Sequence, residues 1–180
     1  MVQPQIITVS GLPGSGTSTA CSTLITELGW AYVNAGQVFR KLAEESGLSL
    51  ATFGARAETD GRIDRQLDER ILTLAETQAP IIVEGRLAGW MVHRREVHAL
   101  KIWLAANSDI RAERLAQRES KTPGQAYEEL RVRESSEARR YQEFHQIDYA
   151  DLSIYDLVID TDETEPSGVV AQILARFEPL

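Results

Sequence analysis

The stretch from Thr8 to Thr19 constrains this chain more than any other. In Ser10-Gly11-Leu12-Pro13-Gly14-Ser15-Gly16-Thr17-Ser18, Gly11 and Gly16 stand five apart, as in the phosphate-binding loop pattern G-x-x-x-x-G-K-[ST]. Such a loop turns backbone N–H groups inward onto phosphate oxygens, which requires glycines that adopt positive φ and leave room for the ligand. The following helix adds its N-terminal dipole and unpaired amides, and Ser18 is placed to offer its hydroxyl to Mg²⁺. The flanks agree with this reading rather than with an ordinary tight turn. Gln5-Ile6-Ile7-Thr8-Val9 is an apolar, β-branched run, and Ala20 to Leu28 has helical spacing at Leu24, Ile25 and Leu28. One position departs from the pattern: Thr17 stands where the lysine is expected, and that ammonium normally follows the β- and γ-phosphates. Either another cation supplies the charge, or the loop binds nucleotide without turning it over.

Beyond the loop, short apolar strands alternate with helices. Trp30–Val33, Ile81–Val83, Leu100–Leu104 and Tyr155–Ile159 read as the further strands. Helices are expected over 37–45, 49–58, 62–77, from the Asn107–Asp109 caps to 119, from the capping box Thr122-Pro123-Gly124-Gln125 to about His145, and over 166–177. This alternation predicts an α/β fold: a five-stranded parallel sheet covered on both faces, three layers in all. Residues 1–180 then form a single domain, with helical insertions at about 36–78 and 119–148 as surface flaps.

Composition narrows the partners. A net charge of −8 argues against a non-specific grip on nucleic acid. No apolar run approaches a membrane span, no signal peptide is evident, and no exposed apolar stripe asks for a second copy, so a cytoplasmic monomer is expected. The single Cys21 cannot form an internal disulfide and reads as a packing residue. Sixteen of the 19 basic residues are Arg, seven of them between Arg111 and Arg140. That bias suits bidentate phosphate contacts in a small phosphorylated ligand, although a solvated helix face would look the same.

Ligands on open α/β sheets bind at the carboxyl ends of strands. There the chain places Gly11 to Ser18, Gly36 to Arg40, Glu84 to Arg86 and Asp160 to Asp162. Glu84, ending a strand beside the loop strand, is the candidate acid on the metal side, acting through bound water. Arg40 is one turn into its helix, within reach of a phosphate. Arg133 and Arg140 lie two turns apart on the long polar helix, where a flap could carry them over phosphates and replace the missing lysine. His93, His98 and His145 lack metal-ligand spacing, and Trp90 could stack on a base or simply pack.

Gly-Leu-Pro-Gly-Ser-Gly-Thr-Ser-Thr, Asn-Ala-Gly-Gln-Val-Phe-Arg, Ile-Asp-Arg-Gln-Leu-Asp, Glu-Gly-Arg-Leu-Ala-Gly-Trp-Met, Leu-Lys-Ile-Trp-Leu, Arg-Ala-Glu-Arg and Asp-Leu-Ser-Ile-Tyr-Asp-Leu-Val-Ile-Asp-Thr resemble, in order, the archaeal-type cytidylate kinases. That group also carries threonine at the lysine position. The resemblance implies a P-loop nucleoside monophosphate kinase that moves the γ-phosphoryl of ATP to CMP, and also to dCMP, with Mg²⁺. ATP would sit on Gly11, Leu12, Pro13, Gly14, Ser15, Gly16, Thr17, Ser18 and Thr19, with Arg114 flanking adenine and Arg118 near its phosphates. Ser18 and Glu84 would serve the metal. Arg40 and Arg86 would take the CMP phosphate, with Gly36 also in the substrate site, while Arg133 and Arg140 close over the transferred group. The bacterial enzymes have an acid after the arginine corresponding to Arg86, whereas this chain has Leu87, so cytosine must be read otherwise. Asp64, between Arg62 and Arg65, is the expected reader, since cytosine's amine needs a carboxylate or carbonyl acceptor. A kinase for UMP or AMP, or a nucleotide-binding module that no longer transfers, are the alternatives.

Overall fold

The structure, a computed structural model, describes residues 5–177, so both ends of the expected 1–180 domain lie outside the described residues. The chain runs β1 (Ile6–Gly11), α1 (Thr17–Leu28), β2 (Ala31–Asn34), α2 (Ala35–Glu45), α3 (Leu50–Ala57), α4 (Gly61–Thr77), β3 (Ile81–Glu84) and α5 (Ala88–Arg94). It continues with β4 (Leu100–Ala105), α6 (Ser108–Glu119), α7 (Pro123–Arg140), a π-helical segment (Tyr141–His145), β5 (Leu157–Asp160) and α8 (Pro166–Phe177). The strands form one parallel sheet in the order β2-β3-β1-β4-β5.

Every residue of β1 is buried, as a central strand covered on both faces requires. Because successive side chains alternate faces, neighbouring residues enter opposite cores. Ile6, Val33, Ile81 and Val83 pack with Leu42, Phe53 and Ile71 from α2, α3 and α4. Ile7, Val9, Ile82, Ile102 and Leu104 pack with Leu24 of α1 and Ile173 of α8. A third, smaller cluster of Ala112, Leu115, Ala116, Ala126 and Leu130 joins α6 to α7. Among the described residues no helix is long and apolar enough to cross a membrane.

The caps lie where the side chains predict them. Ser49 accepts from Thr52 N–H at 3.1 Å, Asp60 from Arg62 N–H at 3.0 Å and Asn107 from Asp109 N–H at 3.3 Å. Thr122 and Gln125 close the reciprocal capping box at the start of α7. The long polar helix reaches His145 as expected, but its last turn widens to π geometry. Strands two and five are displaced by one or two residues from their expected bounds, a shift within the usual end uncertainty.

Helix α5 is an addition. Its first residues include a glycine, and its cap, Leu87, makes no side-chain capping bond, so nothing local announces a helix. Tertiary packing makes it: Ala88, Gly89, Met91 and Val92 are buried, and Gly89 N–H donates to Ser10 Oγ at 3.2 Å. At Gly89 there is no space for a methyl group, because the Tyr155 ring occupies it, with its nearest atoms closer than van der Waals contact allows. Gly89→Ala is therefore expected to cost about 1–3 kcal/mol through overpacking. A thermal melt would show a fall of roughly 2–12 °C.

Candidate active site

The loop after β1 owes its shape to Gly14 and Gly16, at φ 86° and 91°, backbone regions closed to most side chains. The first intrahelical bond of α1 runs from Ala20 N–H to the Gly16 carbonyl at 3.0 Å. The preceding amides thus remain free of helical acceptors, at the positive end of the helix dipole. Gly14 also has no room for a side chain, since a Cβ there would lie 2.7 Å from the Arg111 carbonyl.

Two arginines of α6 brace the loop from behind. Arg111 is buried and donates to the Pro13 carbonyl at 3.3 Å and the Ala106 carbonyl at 3.0 Å, while ion-pairing with Glu134 of α7. Arg114 donates to the Gly14 carbonyl at 3.3 Å, to Thr161 Oγ1 at 3.1 Å and to the Thr161 carbonyl at 2.5 Å. These bonds fix its guanidinium plane. Arg114 lines a cavity of about 290 Å³ with Ser15, Gly16, Thr19 and the 161–166 loop. Arg111 escaped sequence reasoning, because only the fold shows that its turn of α6 backs the loop.

In front of the loop stands Glu84, buried at the end of β3, which pairs with Val9 on one side and Asn34 on the other. Its Oε1 accepts from Ser18 Oγ at 2.7 Å and from Thr17 Oγ1 at 2.8 Å. Its Oε2 accepts from the Tyr32 hydroxyl of β2. The residue in the lysine position is therefore engaged with the expected metal-side carboxylate. Burial, followed by the bond to Glu84, holds the Tyr32 phenol above its ordinary range, so it stays a donor. Asn34 donates to the Tyr32 oxygen at 3.3 Å and caps α2. Tyr32 was not anticipated: it reads as an ordinary strand aromatic until the sheet order sets it beside Glu84. The donor set of hydroxyls and a carboxylate suits a hard cation such as Mg²⁺. Among the described residues no cluster of three His, Cys, Asp or Glu side chains could hold a metal alone, so substrate oxygens would have to supply the remaining ligands.

A larger cavity of about 720 Å³ opens on this corner. It gathers most of the expected residues: Gly36 and Arg40 from α2, Asp64 from α4, Arg86 from beyond β3, and Arg118, Arg133 and Arg140 from α6 and α7. Most of its arginines are held on carboxylates. Arg86 lies 2.5 Å and Arg133 3.0 Å from Glu137, and Arg118 pairs with Glu119 at 2.9 Å. Arg40 is exposed and has no acidic partner among the described residues. Glu58 of the α3 end accepts from Ser136 and, at 3.1 Å, from Arg139, tying α7 to the α2–α4 segment.

Asp64 lies on the cavity wall but is not left open between Arg62 and Arg65. Its two oxygens accept from Arg140 at 2.9 and 3.3 Å, and Arg62 turns instead to Asp60 at 2.8 Å. Trp90, considered for stacking on a base, lines neither cavity; it packs edge-on to His93 with Arg94 over its ring. His145, which carried little as sequence, lies with Nδ1 3.2 Å from Asp68 in the wall of the larger cavity.

Comparison with known proteins agrees with this architecture. Residues 6–163 match the model of the cytidylate kinase-like family. A Pyrococcus furiosus protein named cytidylate kinase is 45% identical over 175 residues, covering 97% of this chain and 89% of that one. A Halobacterium salinarum protein of the same name is 44% identical over 169 residues, covering 94% and 87%. The structure of shikimate kinase from Bacteroides thetaiotaomicron superposes with a TM-score of 0.63 over 97% of this chain and 98% of that one, at 11% identity, which speaks for the P-loop kinase fold alone. With its glycine-rich loop, its parallel sheet and near-complete alignment to these relatives, the chain belongs to the cytidylate kinase-like family.

Proposed function

We propose that this protein is a cytidylate kinase, transferring the γ-phosphoryl group of ATP to CMP, and to dCMP, to give the diphosphate and ADP. The observation that carries the reading is one cavity in which a glycine loop, a buried carboxylate and arginines from both flanking segments converge. The names of the relatives supply the acceptor's identity.

In this reading the loop from Gly11 to Thr19 holds the ATP phosphates, and the smaller cavity beside Arg114 takes the adenine. Arg40 and Arg86 receive the phosphate of CMP. Segment 36–78 forms the acceptor flap and segment 119–148 the lid that brings Arg133 and Arg140 over the reacting group, with Arg118 near the ATP phosphates. The attacking atom is a phosphate oxygen already ionised near neutral pH, so these residues have no proton to remove; they align the reactants and offset negative charge. Ser18 and Glu84 would hold Mg²⁺, which when bound neutralises charge on the phosphates. Thr17 cannot supply the lysine's charge. Its hydroxyl instead helps fix Glu84, and the lid arginines take over the cationic role. Substrate phosphates would compete with Glu137 for Arg86 and Arg133, so these ion pairs hold the two cations beside the path of the transferred group. Asp64 then orients Arg140.

ADP release from ATP and Mg²⁺, measured with CMP, dCMP, UMP, AMP and GMP in turn, tests the acceptor; CMP should give the highest kcat/KM, and turnover with none would leave only nucleotide binding. Arg140→Ala is expected to lower kcat by about 100-fold or more with a smaller change in the KM for ATP. Steady-state kinetics with unchanged kcat would remove Arg140 from the transfer step. Glu84→Gln should raise the Mg²⁺ concentration needed for half-maximal rate by about tenfold or more, read from a metal titration at saturating substrates.

A further inference from the structure

Helix α4 turns one stripe toward the larger cavity: Asp64, Leu67, Asp68 and Ile71, spaced three, one and three residues apart. That spacing makes a single helical face with two apolar side chains and two acids. Carboxylates repel a phosphate, so this wall suits the uncharged part of a nucleotide. Leu67 and Ile71 offer apolar surface to a ring. The two acids are not equivalent. Asp64 has both oxygens engaged by Arg140 and a side chain only 4% exposed. Asp68, one turn on, is 21% exposed at the side chain; its Oδ2 faces His145 Nδ1 at 3.2 Å, and no hydrogen bond reaches its Oδ1 among the described residues.

A half-buried carboxyl with an acceptor oxygen that no protein donor claims can take a ligand's N–H in exchange for water. Burial, and after it the charge of Asp64, push the Asp68 carboxyl up to about 7, as expected of a group short of donors. Cytosine carries an amine at C4, whereas uracil carries a carbonyl there, so an acceptor at that spot welcomes one base and repels the other.

We propose that Asp68, rather than Asp64, is the specificity-determining residue that accepts a hydrogen bond from the C4 amine of the acceptor's cytosine, with His145 steadying its other oxygen. The proposal rests on CMP being the acceptor. It also accounts for Leu87: the acid absent after Arg86 is supplied from α4 instead.

The test is kcat/KM for CMP and for UMP, at saturating ATP and Mg²⁺, in the wild-type chain, Asp68→Asn and Asp64→Asn, with thermal melts of each. The amide of Asp68→Asn can turn an N–H toward a C4 carbonyl, so the CMP to UMP ratio should fall by roughly 10- to 100-fold, chiefly through KM. Asp64→Asn should lower kcat for both acceptors and leave their ratio in place. An Asp68→Asn enzyme that weakens CMP and UMP equally would assign the carboxyl to the ribose or to the scaffold and overturn the proposal. So would a collapse of the ratio in Asp64→Asn alone. Should Asp68→Asn fail to fold, Asp68→Ala removes the acceptor within a smaller volume, and an unmoved ratio there is equally decisive. Wild-type preference for an acceptor other than CMP would overturn the functional reading, and this proposal with it. That result is distinct from a CMP-preferring wild type whose ratio survives the substitution.

Discussion

The buried carboxylate of Glu84 is the constraint to which the rest of the site is fitted. It sits at the end of a central strand, in a setting where an uncompensated charge would be prohibitive, and three hydroxyls from two other elements solvate it. Those hydroxyls come from Thr17 and Ser18 at the start of α1 and from Tyr32 on β2. Each bond draws an element toward β3, so satisfying one charge also sets the distance between the phosphate loop and the strand beside it. In this light Thr17 is a change of partner: the side chain that would have faced the nucleotide as an ammonium faces the protein as a donor.

With threonine at the lysine position, the proposed function leaves the charge balance to arginines outside the loop. Arg86, beyond β3, and Arg133 and Arg140 of α7 each rest against Glu137 or Asp64, which offsets the repulsion among them. Arg111 differs from these. It is buried, bonded to the loop carbonyl of Pro13 and paired with Glu134, so it serves the scaffold and not the ligand. The same residue type thus does two jobs a few turns apart, and burial decides which.

The fold was largely legible in the chain, because its signals are local and agree with one another. β-branched runs mark strands, Ser49, Asp60, Asn107 and Thr122 mark helix starts, and the glycines of the loop admit few conformations. Helix α5 was not legible, since no cap or apolar period announces it and tertiary contacts hold it in place: Ala88, Met91 and Val92 in the core, and Gly89 against Ser10 and Tyr155. The candidate site divides the same way. Glu84 and Arg86 announce themselves by standing at a strand end, and Arg40 by standing one turn into the helix that follows another. Tyr32, Arg111 and Asp68 do not, because their significance depends on strand order, on which turn of α6 backs the loop, and on Arg140 having already claimed Asp64.

The strand order carries one more consequence, for how the molecule comes into being. β1 and β2 follow one another in the chain but never pair; β3 lies between them, and Ile6 finds its partner in Ile81. The N-terminal strands therefore emerge during synthesis with exposed edges and wait for a segment made much later, a non-local closure of the kind that slows folding. The segment they await is the one that ends in Glu84. Insertion of that strand joins β1 to β2 and brings the carboxylate to Thr17, Ser18 and Tyr32, so a nascent chain cannot assemble this corner of the cavity until nearly half of its residues have been made.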